Sequence, residues 1–236
     1  MSVKNCVEQV LQRIRAASLA AGRDPAEVTL VAATKVQSSA TIREAIAAGV
    51  RVCGENRVQE FNQHWADGAY EGARVHFIGH LQRNKVKYLV GRVDLIESVD
   101  SIALLEAIEK QAAKLGVVQD ILLEVNVAGE ASKSGVAPEE LEPLLEQALR
   151  MEHLRFRGLM SIPPVSEGSG GNVEYFRRMH QLFIDMRAKI ADNEKAVDIL
   201  SMGMSGDFED AIACGATQVR VGTALFGARP PMRQNG

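Results

Sequence analysis

The chain has 236 residues, 46% hydrophobic and 24% charged, with a net charge of −3 and a pI near 6.0. That is a soluble globular composition with apolar material for one large core. No Lys/Arg run marks a nucleic-acid surface and no stretch approaches the ~20 apolar residues of a membrane span, so neither partner is expected.

The opening MSVKNCVEQVLQRIRAA spreads charges through an amphipathic pattern and lacks the apolar core of a signal peptide. A helix over about residues 2 to 21 is predicted, in a cytoplasmic protein. VTLVAAT (Val28–Thr34) is the first strand, and SSATIREAIAAG follows as a helix with Ser39 as its cap and Gly49 as its stop. VRVCG and NRVQEFNQHWADG form the second strand and helix, VHFIG and QRNKVKYLVG the third pair, VDLIESV and SIALLEAIEKQAAKLG the fourth. QDILLEVNV is the fifth strand, with a helix opening at Pro138. LRFRGLM, DILSMGM and TQVRVGTAL are the sixth to eighth, separated by VEYFRRMHQLFIDMRAKI and DFEDAIACG.

Near-continuous apolar strands alternating with helices mean a parallel sheet covered on both faces. Eight such units predict an α/β fold, a single TIM-type (β/α)8 barrel with an extra N-terminal helix, occupying residues 1–236 as one domain. An open doubly wound sheet is the alternative. No linker divides the chain. PPVSEGSGG (Pro163–Gly171) reads equally as an active-site loop or a plain solvated loop, and the tail ARPPMRQNG reads as frayed. The widely spaced Cys6, Cys53 and Cys214 make an odd set with no metal spacing and read as small buried residues in a reducing compartment.

Functional groups of such a barrel project from the C-terminal strand ends. The strand map places Lys35, Glu55 with Asn56, Gly79 with His80, Asn126, Met160 with Ser161, Ser201, Arg220, Gly222 and Thr223 there. No paired carboxylates suit glycoside hydrolysis and no His/Asp cluster suits a catalytic metal. Asp207 and Asp210 read as the solvated face of a helix start. Lys35 ends an otherwise uncharged strand. It either snorkels to solvent or serves as a Schiff-base amine whose pKa apolar neighbours would lower. Ser201, Gly203, Ser205 and Gly206, with Gly222 and Thr223, lie where barrels commonly hold phosphate, beside strands seven and eight. Arg220 shares a strand face with Gly222 and needs an acceptor, either a neighbouring carboxylate or a ligand ring nitrogen.

VAATKVQ, CGENRVQE, HFIGHLQRNK, NVAGEASKSGV, RGLMSIPP, LSMGMSGDFEDAI and VRVGTALFGAR together resemble the pyridoxal phosphate homeostasis protein family, over most of the chain. That family is similar to the barrel domain of alanine racemase. The resemblance implies pyridoxal 5′-phosphate carried on Lys35, with Ser201, Ser205, Gly222 and Thr223 around its phosphate. It also implies Arg220 at the pyridine nitrogen, Asn56 near the ring and, more weakly, Lys133 approaching the cofactor. The implied role is vitamin B6 homeostasis, with pyridoxal-phosphate-dependent apoenzymes or salvage enzymes as partners and without significant turnover. A racemase carries a further domain and a tyrosine acid/base. Here Tyr70, Tyr88 and Tyr175 fall at no predicted strand end, so two-base racemisation lacks its second base. A small racemase-like enzyme and a sugar- or nucleotide-phosphate enzyme are the competing readings.

Overall fold

A computed structural model of the chain describes residues 2–130, 133–164, 170–190 and 197–227. Eight parallel strands form a closed barrel: β1 (Thr29–Ala33), β2 (Val52–Glu55), β3 (Arg74–Phe77), β4 (Leu95–Val99), β5 (Gln119–Glu124), β6 (Leu154–Met160), β7 (Ile199–Ser201) and β8 (Gln218–Val221). Pairing of β1 with β8, Val31 opposite Arg220, closes the ring and rules out the open sheet. The strands are buried on both sides because helices cover the outside and side chains fill the inside.

Helix α1 (Val3–Ala20) precedes the barrel, capped by the Ser2 side chain. Its buried residues Val7, Val10, Ile14 and Ser18 recur at helical spacing. They pack toward α7 (Phe208–Ala213) and α8 (Thr223–Phe226), and each buried aliphatic side chain contributes roughly 1.5–3 kcal/mol. Arg13 fastens this contact, stacking 4.5 Å from the Phe208 ring centre and reaching Glu209 at 2.6 Å. The remaining helices are α2 (Ser39–Ala47), α3 (Val58–Ala66), α4 (Ile102–Leu115), α5 (Leu141–Leu149) and α6 (Val173–Lys189).

Several local expectations shift. Ser38, not Ser39, caps α2, its hydroxyl accepting the Thr41 N–H at 3.1 Å. After β3 the chain forms a 3-10 helix, Arg83–Tyr88, in place of an α-helix. Pro138 opens a 3-10 turn, Pro138–Glu140, that leads into α5. Thr223 starts α8 and does not extend β8. Asp207 is buried, not solvated: its carboxylate accepts from the Met204 N–H and from Asn172 Nδ2. Asp210 is half-buried and accepts the Gly170 N–H. Cys53 is buried and Cys6 and Cys214 half-buried, all three as free thiols. The Pro163–Gly171 loop falls partly, and the tail wholly, outside the described residues.

Alternation sorts each strand into an outer and an inner set. The outer residues and the helices make the main core. Inside lie two smaller apolar clusters, Val31–Ala33–Val52–Ile78 and Leu95–Leu122–Met160 with Ile199. The interior also buries polar groups: His76, Glu97, Ser201, Gln218 and Arg220.

Candidate ligand site at the barrel mouth

The inner series of β1 runs Val31, Ala33 and continues to Lys35, which places the amine at the C-terminal mouth. Register does the rest. Ala33 stands opposite Gly54 on β2, so Asn56, two residues on, keeps step with Lys35. Val31 stands opposite Arg220 on β8, so Gly222 comes beside Ala33, and a Cβ at Gly222 would touch the Ala33 Cβ at 3.4 Å. A cavity of about 320 Å³ results, lined by Lys35, Asn56, Ser205, Gly206, Arg220 and Thr223 among its polar members. Ile78, Ile162 and Phe226 are apolar members of the lining.

The turn that carries Lys35 is held in an unusual shape. Val36 adopts φ 65°, a left-handed conformation that costs a β-branched residue on the order of 1–3 kcal/mol. Its N–H donates to Glu60 Oε2 at 2.9 Å, and the Gln37 N–H closes the turn on the Thr34 carbonyl at 3.0 Å. Beneath the turn, fully buried Glu55 accepts from Thr34 Oγ1 at 2.5 Å, Tyr70 Oη at 2.8 Å and His64 Nδ1 at 3.0 Å. The other His64 nitrogen faces the Gln37 carbonyl at 3.0 Å. Burial and the nearby Glu55 charge push the Tyr70 hydroxyl's pKa upward, so it stays a donor.

Asn56 is set by its neighbour Gly79. A Cβ on Gly79 would overlap the Asn56 backbone, 2.7 Å from its Cα, so only glycine lets β2 and β3 end this close together. Asn56 Oδ1 is buried and accepts nothing from the described residues. At the opposite wall the Ser205 hydroxyl oxygen accepts the N–H groups of Gly222 at 3.1 Å and Ala224 at 3.2 Å, which turns its own proton elsewhere. Among the described residues no acceptor meets the N–H groups of Gly206 and Thr223, both of which border the cavity.

Arg220 is 4% exposed and donates to Ser201 Oγ at 2.6 Å and to the Ser161 carbonyl at 2.7 Å. Burial lowers its pKa, opposed by the charges of Glu97, Glu124 and Asp207. Among the described residues no carboxylate touches it directly, which sets aside the simple ion-pair reading. Glu124 is itself pushed up from 4.5 to about 7, by burial and by Asp100, against the pull of Arg220.

The structure thus brings Lys35, Asn56, Ser205, Arg220, Gly222 and Thr223 to one cavity. It moves Ser201 out of the phosphate group: that side chain is fully buried below the cavity and its hydroxyl is engaged by Glu97 and Arg220. Lys133 pairs with Glu130 at 3.3 Å and is not part of the lining. His80 is exposed, 3.6 Å from Asp100. Sequence reasoning placed Gly206 in the phosphate corner and Glu55 on the rim, but missed His64, Tyr70 and Glu60, which join Glu55 in supporting the Lys35 turn. Gly206 stands in the quoted SMGMSGD stretch, but which N–H groups stay unpaired there is settled only by the fold. A larger hollow of about 890 Å³ sits at the opposite end of the barrel. Its Arg155 and Arg157 are taken up by Asp120 and Asp198, so it reads as the charged closure of the barrel floor.

A barrel with a lysine just past its first strand and open N–H groups beside its last two defines an alanine racemase-type domain, and the chain matches the family described as "Alanine racemase, N-terminal domain" over residues 9–230. An alanine racemase of Clostridium difficile shares this fold at 13% identity, TM-score 0.66, covering 93% of this chain but 57% of the racemase. Closer likeness lies elsewhere. A pyridoxal phosphate homeostasis protein of Aquifex aeolicus is 45% identical over 223 residues, 94% of this chain and 96% of the relative. The PipY protein of Synechococcus elongatus, solved with PLP bound, is 36% identical with TM-score 0.79, covering 91% of this chain and 99% of PipY. The chain belongs to the pyridoxal phosphate homeostasis protein family.

Proposed function

We propose that this chain, residues 1–236 acting as one domain, holds pyridoxal 5′-phosphate at the barrel mouth with Lys35 as covalent anchor, and serves vitamin B6 homeostasis in the cytoplasm. The observation that carries the reading is the fit of the cavity: one amine, one guanidinium, an orphaned Asn56 oxygen and unpaired N–H groups around about 320 Å³. PipY, which binds this ligand, shares the fold over nearly its whole length. Pyridoxal phosphate supplies an aldehyde that an amine captures reversibly and a ring that can draw electrons from a bound amine. Ser205, Gly206 and Thr223 would bind its phosphate. Asn56 would meet the ring's polar edge. Arg220 only donates hydrogen bonds and keeps its proton, so a ring nitrogen facing it stays unprotonated.

The same lining favours holding over turnover. Among the described residues that border the cavity, Lys35 and Arg220 are the ionisable side chains, and an arginine does not shuttle protons. Tyr70 is committed to Glu55 and Tyr88 lies beside Lys85 and Lys87, away from the site. Reversible capture at an open mouth suits a carrier that yields its ligand to apoenzymes or salvage enzymes.

Borohydride reduction of the loaded protein followed by peptide mapping tests the anchor. The adduct is expected on Lys35, and Lys35→Ala should lose both the visible band and the adduct. An adduct on another lysine overturns the assignment. Incubation with single-enantiomer amino acids and chiral chromatography should show negligible turnover. A rate of ~1 s⁻¹ or more that vanished in Lys35→Ala would establish an enzyme instead.

A further inference from the structure

Arg220 is a buried cation that no carboxylate among the described residues contacts, and such a charge needs compensation. The hydrogen bonds behind it lead to one. Arg220 Nη1 donates to Ser201 Oγ at 2.6 Å, and Ser201 donates its single proton to Glu97 Oε2 at 2.7 Å. Gln218 Nε2 donates to Glu97 Oε1 at 2.7 Å and to Ser201 Oγ at 3.1 Å. His76 Nδ1 lies within hydrogen-bonding distance of Glu97 Oε1, at 2.8 Å. The protons around Ser201 have a forced direction. A guanidinium and an amide NH₂ can only donate, so Ser201 accepts from both and must give its proton to Glu97. Glu97 therefore accepts one hydrogen bond from Ser201 and one from Gln218. Burial alone would raise its pKa, but His76, Arg220 and Ser201 hold it below the ordinary range. The far end of the column, His76, borders the floor hollow. These residues come from β3, β4, β7 and β8, so the column crosses the barrel interior and ends at the ligand cavity.

We propose that Glu97 is the positioning residue for Arg220, acting through Ser201: it supplies the buried counter-charge and fixes the direction in which the guanidinium presents its remaining N–H groups to the ring end of the cofactor. This rests on the reading of the cavity as a pyridoxal phosphate site. Glu97→Gln keeps the shape but removes the charge. It also brings an amide donor that must face either Ser201 or the Gln218 amide, both already donating. The column then has more donors than acceptors, and Arg220 loses its fixed pose.

The test is a double-mutant cycle on pyridoxal phosphate affinity, read by absorbance titration, with the variants Glu97→Gln, Arg220→Gln and both together. Glu97→Gln is expected to weaken binding about tenfold, within the range for coupled buried neighbours. It should shift the visible absorbance maximum while leaving the affinity ratio of pyridoxal phosphate to pyridoxal unchanged, because the phosphate wall is untouched. In the Arg220→Gln background the same change should have almost no further effect. An equal loss with and without Arg220 overturns the proposal, as does an unchanged affinity and spectrum in Glu97→Gln. Should that variant fail to fold, Ser201→Ala cuts the link while leaving Glu97 with His76 and Gln218, and the same cycle applies. A wild-type protein with no visible band and no adduct on Lys35 refutes the site reading, and the role of Glu97 with it. A normal wild-type band with an Arg220-independent effect refutes only the role of Glu97.

Discussion

The proposed phosphate wall makes the sharpest demand on affinity. Its donors are the Ser205 hydroxyl and the N–H groups of Gly206 and Thr223. A hydrogen bond to a charged group is worth ~1.5–3 kcal/mol, so three at the low end give roughly 4–5 kcal/mol. That corresponds to ~10³-fold tighter binding of pyridoxal phosphate than of pyridoxal. Ser205→Ala refines the point. It deletes one donor, worth about tenfold. It also releases the N–H groups of Gly222 and Ala224 from the Ser205 oxygen, and these can turn partly toward the phosphate. The expected loss is therefore about tenfold or slightly less for pyridoxal phosphate, and none for pyridoxal. Absorbance titration of both ligands against both proteins measures it. Equal dissociation constants for the two ligands in the wild type would refute the phosphate wall. An equal loss for both ligands in Ser205→Ala would show that the hydroxyl supports the fold and not the phosphate.

Glu124 gives a pH signature. Its pKa is raised from 4.5 to about 7, so its stabilising contribution is complete below 4.5 and is lost as pH climbs toward 7. A shift of this size corresponds to about 3 kcal/mol, so Glu124→Gln should melt higher than wild type at pH 8 and no higher near pH 4; a parallel offset at both pH values would contradict this. Gly79→Ala forces a Cβ into the Asn56 backbone, which cannot yield as a side chain would. A cost of ~1–3 kcal/mol and a melting point lower by roughly 2–12 °C are expected, with weaker ligand binding through Asn56, and an unchanged melting point would count against the close approach. Cys53 is fully buried with its pKa pushed up to about 12 by burial and Glu55. A thiol reagent on the folded protein should leave it unmodified, and its labelling at the rate of an exposed cysteine would contradict its burial.

The barrel was legible because alternating apolar runs and helical repeats are local patterns, and eight of them admit few closed arrangements. Lys35 was legible as a candidate because a lone charge ending VTLVAAT stands out, and Arg220 and Gly222 because alternate residues on a strand share a face. The family resemblance rested on the same stretches. Helix ends were less legible, since Ser38 and Ser39 are chemically alike and only the direction of the entering chain makes Ser38 the cap. Tertiary structure alone decided the long-range facts. It set the register that puts Asn56 beside Lys35 and Gly222 beside Ala33. It brought Glu55, His64 and Tyr70 under the Lys35 turn. It also withdrew Ser201 from the phosphate wall and joined it to Glu97, 104 positions away along the chain. A sequence shows which groups carry donors and charges. Which of them find partners depends on strand pairing between distant segments, and the groups left unpaired at the mouth are the ones that define the site.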